Sequence, residues 1–162
     1  MEEPLVKIHY WLYPVSWIYG MGVYLRNKLF DWGYYQSKSF DVPVVCVGNL
    51  AVGGTGKTPH TEYLIKLLQQ TGANVAMLSR GYKRKSKGYV LATEKTDVKR
   101  IGDEPYQIKI KFPGIRVAVD ENRCHGIEQL MKLDNRKVDV VLLEAAYQHR
   151  HVKAGLNILL TD

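Results

Sequence analysis

The stretch Gly48–Leu68, GNLAVGGTGKTPHTEYLIKLL, decides the fold. It follows the β-rich apolar run Asp41–Gly48, DVPVVCVG, and reads as a glycine-rich turn that opens into a helix. In such a turn backbone N–H groups point at phosphate oxygens, and the next helix adds the positive end of its dipole. A lysine then reaches the β- and γ-phosphates, and a Ser or Thr hydroxyl helps to hold Mg²⁺. Gly53, Gly54, Thr55, Gly56, Lys57 and Thr58 supply that set, with Ala51 where the usual spacing has glycine. Pro59 is tolerated in the first helical turn and Gly72 supplies a stop. A flexible turn that holds no phosphate is the alternative.

Downstream, strand-like and helix-like segments alternate. Asn74–Arg80, Ile115–Val119, Val138–Glu144 and Leu156–Asp162 read as strands, with a short one in GYVLAT after the basic loop GYKRKSKG. Asp103–Phe112, with Pro105 near its start, and Glu121–Leu133, despite Gly126, read as helices. This alternation predicts an α/β fold: a P-loop NTPase-like, mostly parallel sheet flanked by helices on both faces. The chain stops directly after an apolar strand, so a continuation beyond Asp162 is expected.

The first forty residues differ. All three Trp, six of the eleven Tyr, Phe30 and Phe40 lie there, and no formally charged residue occurs from Ile8 to Leu25. Apolar side chains at Ile8, Trp11, Leu12, Val15, Ile18, Tyr19, Leu25 and Leu29 follow a helical period. Pro14, Ser16, Gly20, Gly22 and four tyrosines make a poor membrane span. Trp and Tyr favour the headgroup level, so an interfacial helix suits the composition better. A helix packed on the protein's own core is the alternative. The start MEEP is acidic where a secretory signal needs positive charge. Two domains follow: a membrane-associated helical segment over 1–40 and a P-loop core over 41–162.

The composition is that of an ordinary folded domain, with 46% apolar and 24% charged residues. Cys46 and Cys124 are too few for a disulfide framework and show no metal spacing; Cys46 reads as a buried thiol. Net charge is +7, and residues 80–100 concentrate eight Lys or Arg against two acidic residues. Such a patch attracts phosphates, unless it is only a solvated loop.

Beyond the loop, VGNLAVGGTGKTP, LSRGY, GDEP, VAVDENR and YQHR occur in this order. Together they closely resemble the tetraacyldisaccharide 4′-kinase (lipid A 4′-kinase) family of Gram-negative bacteria, in its N-terminal half and its Bacteroidetes branch. The resemblance implies transfer of the γ-phosphate of ATP, with Mg²⁺, to the 4′-hydroxyl of a tetraacylated glucosamine disaccharide 1-phosphate. It also implies a site on the cytoplasmic face of the inner membrane, met through the N-terminal helix. The lipid A disaccharide precursor and the membrane surface are the partners expected; neither a nucleic acid nor a protein partner is.

Carried over residue by residue, Lys57 would meet the γ-phosphate, Thr58 the Mg²⁺, and Gly53 to Gly56 the phosphates through their backbone. Asp103 of GDEP matches the family's catalytic aspartate, thought to work with a histidine from the second half. A carboxylate serves as base only within hydrogen-bond reach of the acceptor, and an Asp at a helix start is also an ordinary N-cap. Glu104 is a weaker candidate; a first-turn carboxylate often only complements the helix dipole. Arg80, Gln148, His149 and Arg150 either line the site or stabilise its loops. The sharpest departure is at Glu144–Ala145, where the family carries two adjacent aspartates. Glu144 can still hold Mg²⁺; Ala145 contributes nothing. A nucleotide-binding membrane module or pseudokinase without transfer is therefore the second reading. A P-loop GTPase or partitioning-type ATPase is the third, lowered in its GTPase form by the lack of an NKxD-like segment.

Overall fold

Side-chain alternation along two central strands sets the layers of the molecule. In β2 (Val75–Ser79), Val75 and Met77 face one way and Ala76 and Leu78 the other. In β5 (Val140–Glu144), Val140 and Leu142 likewise oppose Val141 and Leu143. Both strands are buried throughout, so they read in sequence as continuous apolar runs. The computed structural model describes residues 10–49, 56–133, 137–144 and 150–161.

The chain divides into two units, Met1–Gln36 and Ser37–Asp162. The first holds a short 3₁₀ turn, Tyr10–Leu12, and the helix α1, Tyr13–Asp31. Pro14 sits in the first turn, where its missing N–H costs nothing. The helix runs through Gly20 and Gly22, where a Cβ would meet nothing within 4 Å. Trp11, Trp17 and Trp32 are 73%, 72% and 71% exposed, and Val15, Ile18, Tyr19, Met21, Tyr24 and Leu25 are exposed as well. The exposed apolar band is thus wider than the single stripe expected from spacing; Ile8 lies outside the described residues. No described helix is long and apolar enough to cross a membrane.

The second unit is built on a six-stranded sheet of order β3-β4-β2-β5-β1-β6. Here β1 is Val44–Asn49, β3 Val90–Leu91, β4 Arg116–Val119 and β6 Leu156–Leu160. All neighbours are parallel except β3, which pairs antiparallel with β4. Three helices cover one face: α2 (Lys57–Gln70), α3 (Val98–Ile101) and α4 (Asp103–Lys111). They bury Ile65, Ile101 and Ile108 against Met77, Val117 and Leu142. The other face is covered by α5 (Arg123–Met131), through Ile127 and Leu130. Cys46 is buried in that second core, as its apolar setting predicts.

Two details add to the sequence reading. Asp97 accepts the Arg100 N–H at 3.1 Å and starts α3, a single turn too short to leave a periodic pattern. The apolar run of β6 is exposed at Leu156, Asn157 and Leu159, and among the described residues β6 pairs with β1.

Gly126 has a packing reason. A Cβ there would stand 2.8 Å from Leu78 Cδ1 and 3.1 Å from Asp120 Cβ, so α5 lies on β2 with no room for a side chain. Gly126→Val is expected to destabilise the chain by about 1–3 kcal/mol through overpacking. A urea melt reads this directly, and an unchanged midpoint would show that α5 can lift without cost.

Candidate active site

A parallel sheet brings the C-terminal ends of its strands to one edge, which is where ligands bind in open α/β folds. At this edge Glu144 ends β5 opposite Val47 of β1, and Ser79 ends β2 opposite Val119 of β4. By alternation Ser79 and Glu144 face the same side as Met77 and Leu142, under α2 and α4. Lys57 is the first residue of α2; Asp103 and Glu104 are the first two of α4. One face therefore gathers a cation and several carboxylates at the mouth of the sheet.

Glu144 is the most constrained of these groups. It is 1% exposed, and among the described residues neither carboxylate oxygen has a hydrogen-bond partner. Burial, followed by the negative charge of Glu104, pushes its carboxyl up to about 7; Ser79, Lys57 and Arg123 pull the other way without prevailing. Ser79 is near enough to favour the charged form yet makes no hydrogen bond of ordinary geometry to it. Two unshared carboxylate oxygens are the donor type a hard cation takes, and Thr58, half-buried in the first turn of α2, adds a hydroxyl. Among the described residues no three His, Cys, Asp or Glu side chains cluster as a metal site. Mg²⁺ needs no such cage, since it keeps several waters and leans on one or two carboxylates plus phosphate.

Asp103 is not the helix cap. Gly102 holds that place, and Asp103 is the first helical residue, exposed. Arg123 opens α5 after Asn122, which caps the helix by accepting the His125 N–H at 3.2 Å. The Arg123 side chain is buried, donates to the Asp120 carbonyl at 2.7 Å and reaches the Glu144 carbonyl at 3.5 Å; its Nε has no partner. Burial, then the nearby charge of Arg80, lowers its guanidinium to about 10, against Asp120 and Glu144, which favour the charge. Asp120 is buried too, accepting the Asn122 N–H at 2.9 Å and His125 Nδ1 at 2.7 Å.

The match to known proteins is direct. The model of the tetraacyldisaccharide-1-P 4′-kinase family, LpxK, fits residues 8–162. Proteins named tetraacyldisaccharide 4′-kinase from Bacteroides fragilis and Bacteroides thetaiotaomicron are 69% and 67% identical over all 162 residues. The chain belongs to the tetraacyldisaccharide-1-P 4′-kinase family. It spans 43% and 42% of the length of those two relatives. A crystal structure of LpxK from Aquifex aeolicus in complex with ATP superimposes with a TM-score of 0.81 at 41% identity. That match covers 91% of this chain and 47% of the other.

Within this family frame Lys57 and Glu104 stand near enough to act on the charge of Glu144, and Arg80 near enough to act on that of Arg123. Arg150 is half-buried, and its carbonyl accepts from Ser37 on the segment that leads into β1. Ala51, Gly53, Gly54, Thr55, Ala145, Gln148 and His149 lie outside the described residues. Ser79, Asp120 and Arg123 were not singled out from sequence. Their signal was present in LSRGY and VAVDENR, which both end strands at the ligand edge, but only the fold shows that an arginine there is buried.

The sign of the Glu144 effect is testable. A carboxyl raised from the usual 4.5 to about 7 keeps its proton in the folded chain where the unfolded chain has released it. Stability conferred by that site therefore falls as pH rises through this window. Glu144→Gln should gain stability over the parent at pH 8 and little at pH 5, read from melts at both. Equal shifts at the two pH values would contradict a buried, proton-holding Glu144.

Proposed function

We propose that this chain is the nucleotide-binding portion of a tetraacyldisaccharide 4′-kinase, which moves the γ-phosphate of ATP to the 4′-hydroxyl of tetraacyldisaccharide 1-phosphate in lipid A synthesis. The observation that carries this is Glu144: a buried carboxylate with two unshared oxygens, at the ligand edge, acting on the same face as Lys57 and Glu104. Family membership and the ATP complex of the Aquifex relative support the same reading.

Phosphoryl transfer asks the protein for alignment and charge neutralisation more than for covalent chemistry. Lys57, at the positive end of α2, neutralises β- and γ-phosphate oxygens, and the backbone of Gly53, Gly54, Thr55 and Gly56 cradles them. Thr58 and Glu144 would hold Mg²⁺, which would supply further charge neutralisation. Asp103, free of any capping duty, accepts the proton of the 4′-hydroxyl as its oxygen attacks phosphorus and ADP leaves. Arg80, Glu104, Gln148, His149 and Arg150 are the further candidates for contact with the acceptor or for support of the site.

The protein works at the cytoplasmic face of the inner membrane, with 1–40 as its membrane segment and 41–162 as its P-loop core. The exposed Trp and Tyr of α1 support an interfacial placement, because such rings prefer the headgroup level. A pseudokinase or nucleotide-binding module is the second reading, favoured by Ala145 in place of a family carboxylate.

In a protein extended to the relatives' full length, Asp103→Asn is expected to lower kcat by roughly 10²–10⁴ with ATP affinity little changed. Lys57→Ala should weaken both. Transfer of labelled phosphate to the lipid disaccharide measures this, and ATP binding without any transfer would decide for the module. Anionic vesicles should blue-shift the tryptophan fluorescence, since all three indoles start in water. An unmoved spectrum would argue against membrane contact through this segment.

A further inference from the structure

Eight basic side chains between Arg80 and Arg100 predict a solvated loop, and Lys83, Lys85 and Lys87 are exposed as such a loop requires. Arg84 is not. Its side chain is 3% exposed, paired with Glu121 Oε1 at 2.7 Å. The same guanidinium donates to the Gly88 carbonyl at 2.8 Å and to Ser86 Oγ at 3.1 Å. The other oxygen of Glu121 accepts the Gly88 N–H at 2.9 Å. Ser86 in turn donates its hydroxyl to the Arg100 carbonyl, and the Lys85 N–H donates to the Lys99 carbonyl at 2.8 Å. One buried cation thus folds the loop and stitches it to α3.

From α3 the chain passes through Gly102 straight into Asp103. Gly81 and Gly102 have φ of +72° and +90°, a region that side-chain-bearing residues rarely adopt. A Cβ on Gly102 would stand 2.8 Å from the Tyr82 carbonyl. One on Gly81 would stand 2.8 Å from the Ile101 carbonyl and 2.4 Å from Arg84 Cδ. The two turns therefore meet backbone on backbone, with the Arg84 stem lying on Gly81. Any shift of 81–82 is passed to 102 with no compliant side chain between to absorb it.

We propose that Arg84, held by Glu121, is a positioning residue that sets the Asp103–Glu104 turn through the Gly81–Gly102 contact. The inference rests on the reading of Asp103 as the group that meets the acceptor hydroxyl. Arg84 touches neither nucleotide nor acceptor in this scheme. Arginine is required because its planar fork bonds Glu121, Gly88 and Ser86 at once, which a lysine ammonium cannot reproduce.

The test uses Arg84→Lys and the milder Glu121→Gln in the kinase extended to full family length. Each should lower kcat roughly 10- to 100-fold, the scale of a misplaced reacting group, with KM for ATP within about twofold. In an Asp103→Asn background the same changes should cost nothing further, since both act through one group. Full additivity, or a loss confined to the KM for ATP, overturns the proposal. Hydrogen exchange provides a readout that needs no activity. Arg84→Lys should speed exchange at Lys85 and Gly88, and also at Gly102 and Tyr106 across the contact. Faster exchange at the first pair alone would refute the coupling, whatever the fate of the kinase reading.

Discussion

A buried carboxylate with no hydrogen-bond partner among the described residues is the constraint on which this site depends. Glu144 ends a central parallel strand; its backbone is paired with Val47 of β1, the preceding Leu143 is paired with both neighbouring strands, and its side chain is buried. Left alone, such a group holds its proton; the rise to about 7 expresses that cost. Lys57 opposes the cost from the start of α2, but does not overcome it. A bound cation would reverse the balance, because it favours the ionised form and takes up the two unshared oxygens.

The arginines beneath the edge obey related physics. Arg123 is buried among carbonyls of Asp120 and Glu144, and its charge is opposed by Arg80. Two guanidinium groups that raise each other's energy are tolerated where anionic groups stand nearby, here Asp120 and Glu144. Arg84 differs: its own carboxylate, Glu121, comes from the turn after β4. Both devices are anchored in Asp120–Arg123, so this short turn supports the loop after β2 and the end of β5 together.

Much of the fold was legible because buried parallel strands write themselves as continuous apolar runs. VVCVGN, VAMLS and VVLLE could be read directly, and so could α2 from its glycine-rich start. LNILL was read as a strand too, and it is one, although an apolar run does not say how far its strand is covered. The helix α3 was not legible, because its one turn depends on the Asp97 cap rather than on periodicity. In the site, Lys57, Glu104 and Glu144 were nameable from motif and position. Arg84 and Arg123 were not, because burial of an arginine is decided by partners distant in sequence: Glu121 for one, the carbonyls at the sheet edge for the other.

The order of residues in GDEP carries its own argument. An aspartate at the N-cap spends its carboxylate on the first free N–H groups of a helix. In this chain the cap is Gly102, with φ +90° and a carbonyl of Tyr82 where a Cβ would stand. Aspartate could not take that place without shifting both turns. Moving the acid one residue inward leaves the helix start uncapped by any side chain, which with glycine at the cap costs only about a few tenths of a kcal/mol. What is gained is a carboxylate held by a rigid turn and engaged in no capping bond. Stability has been given up at the point where a base would be useful, and the Arg84–Glu121 pair lies where it can keep that turn in place.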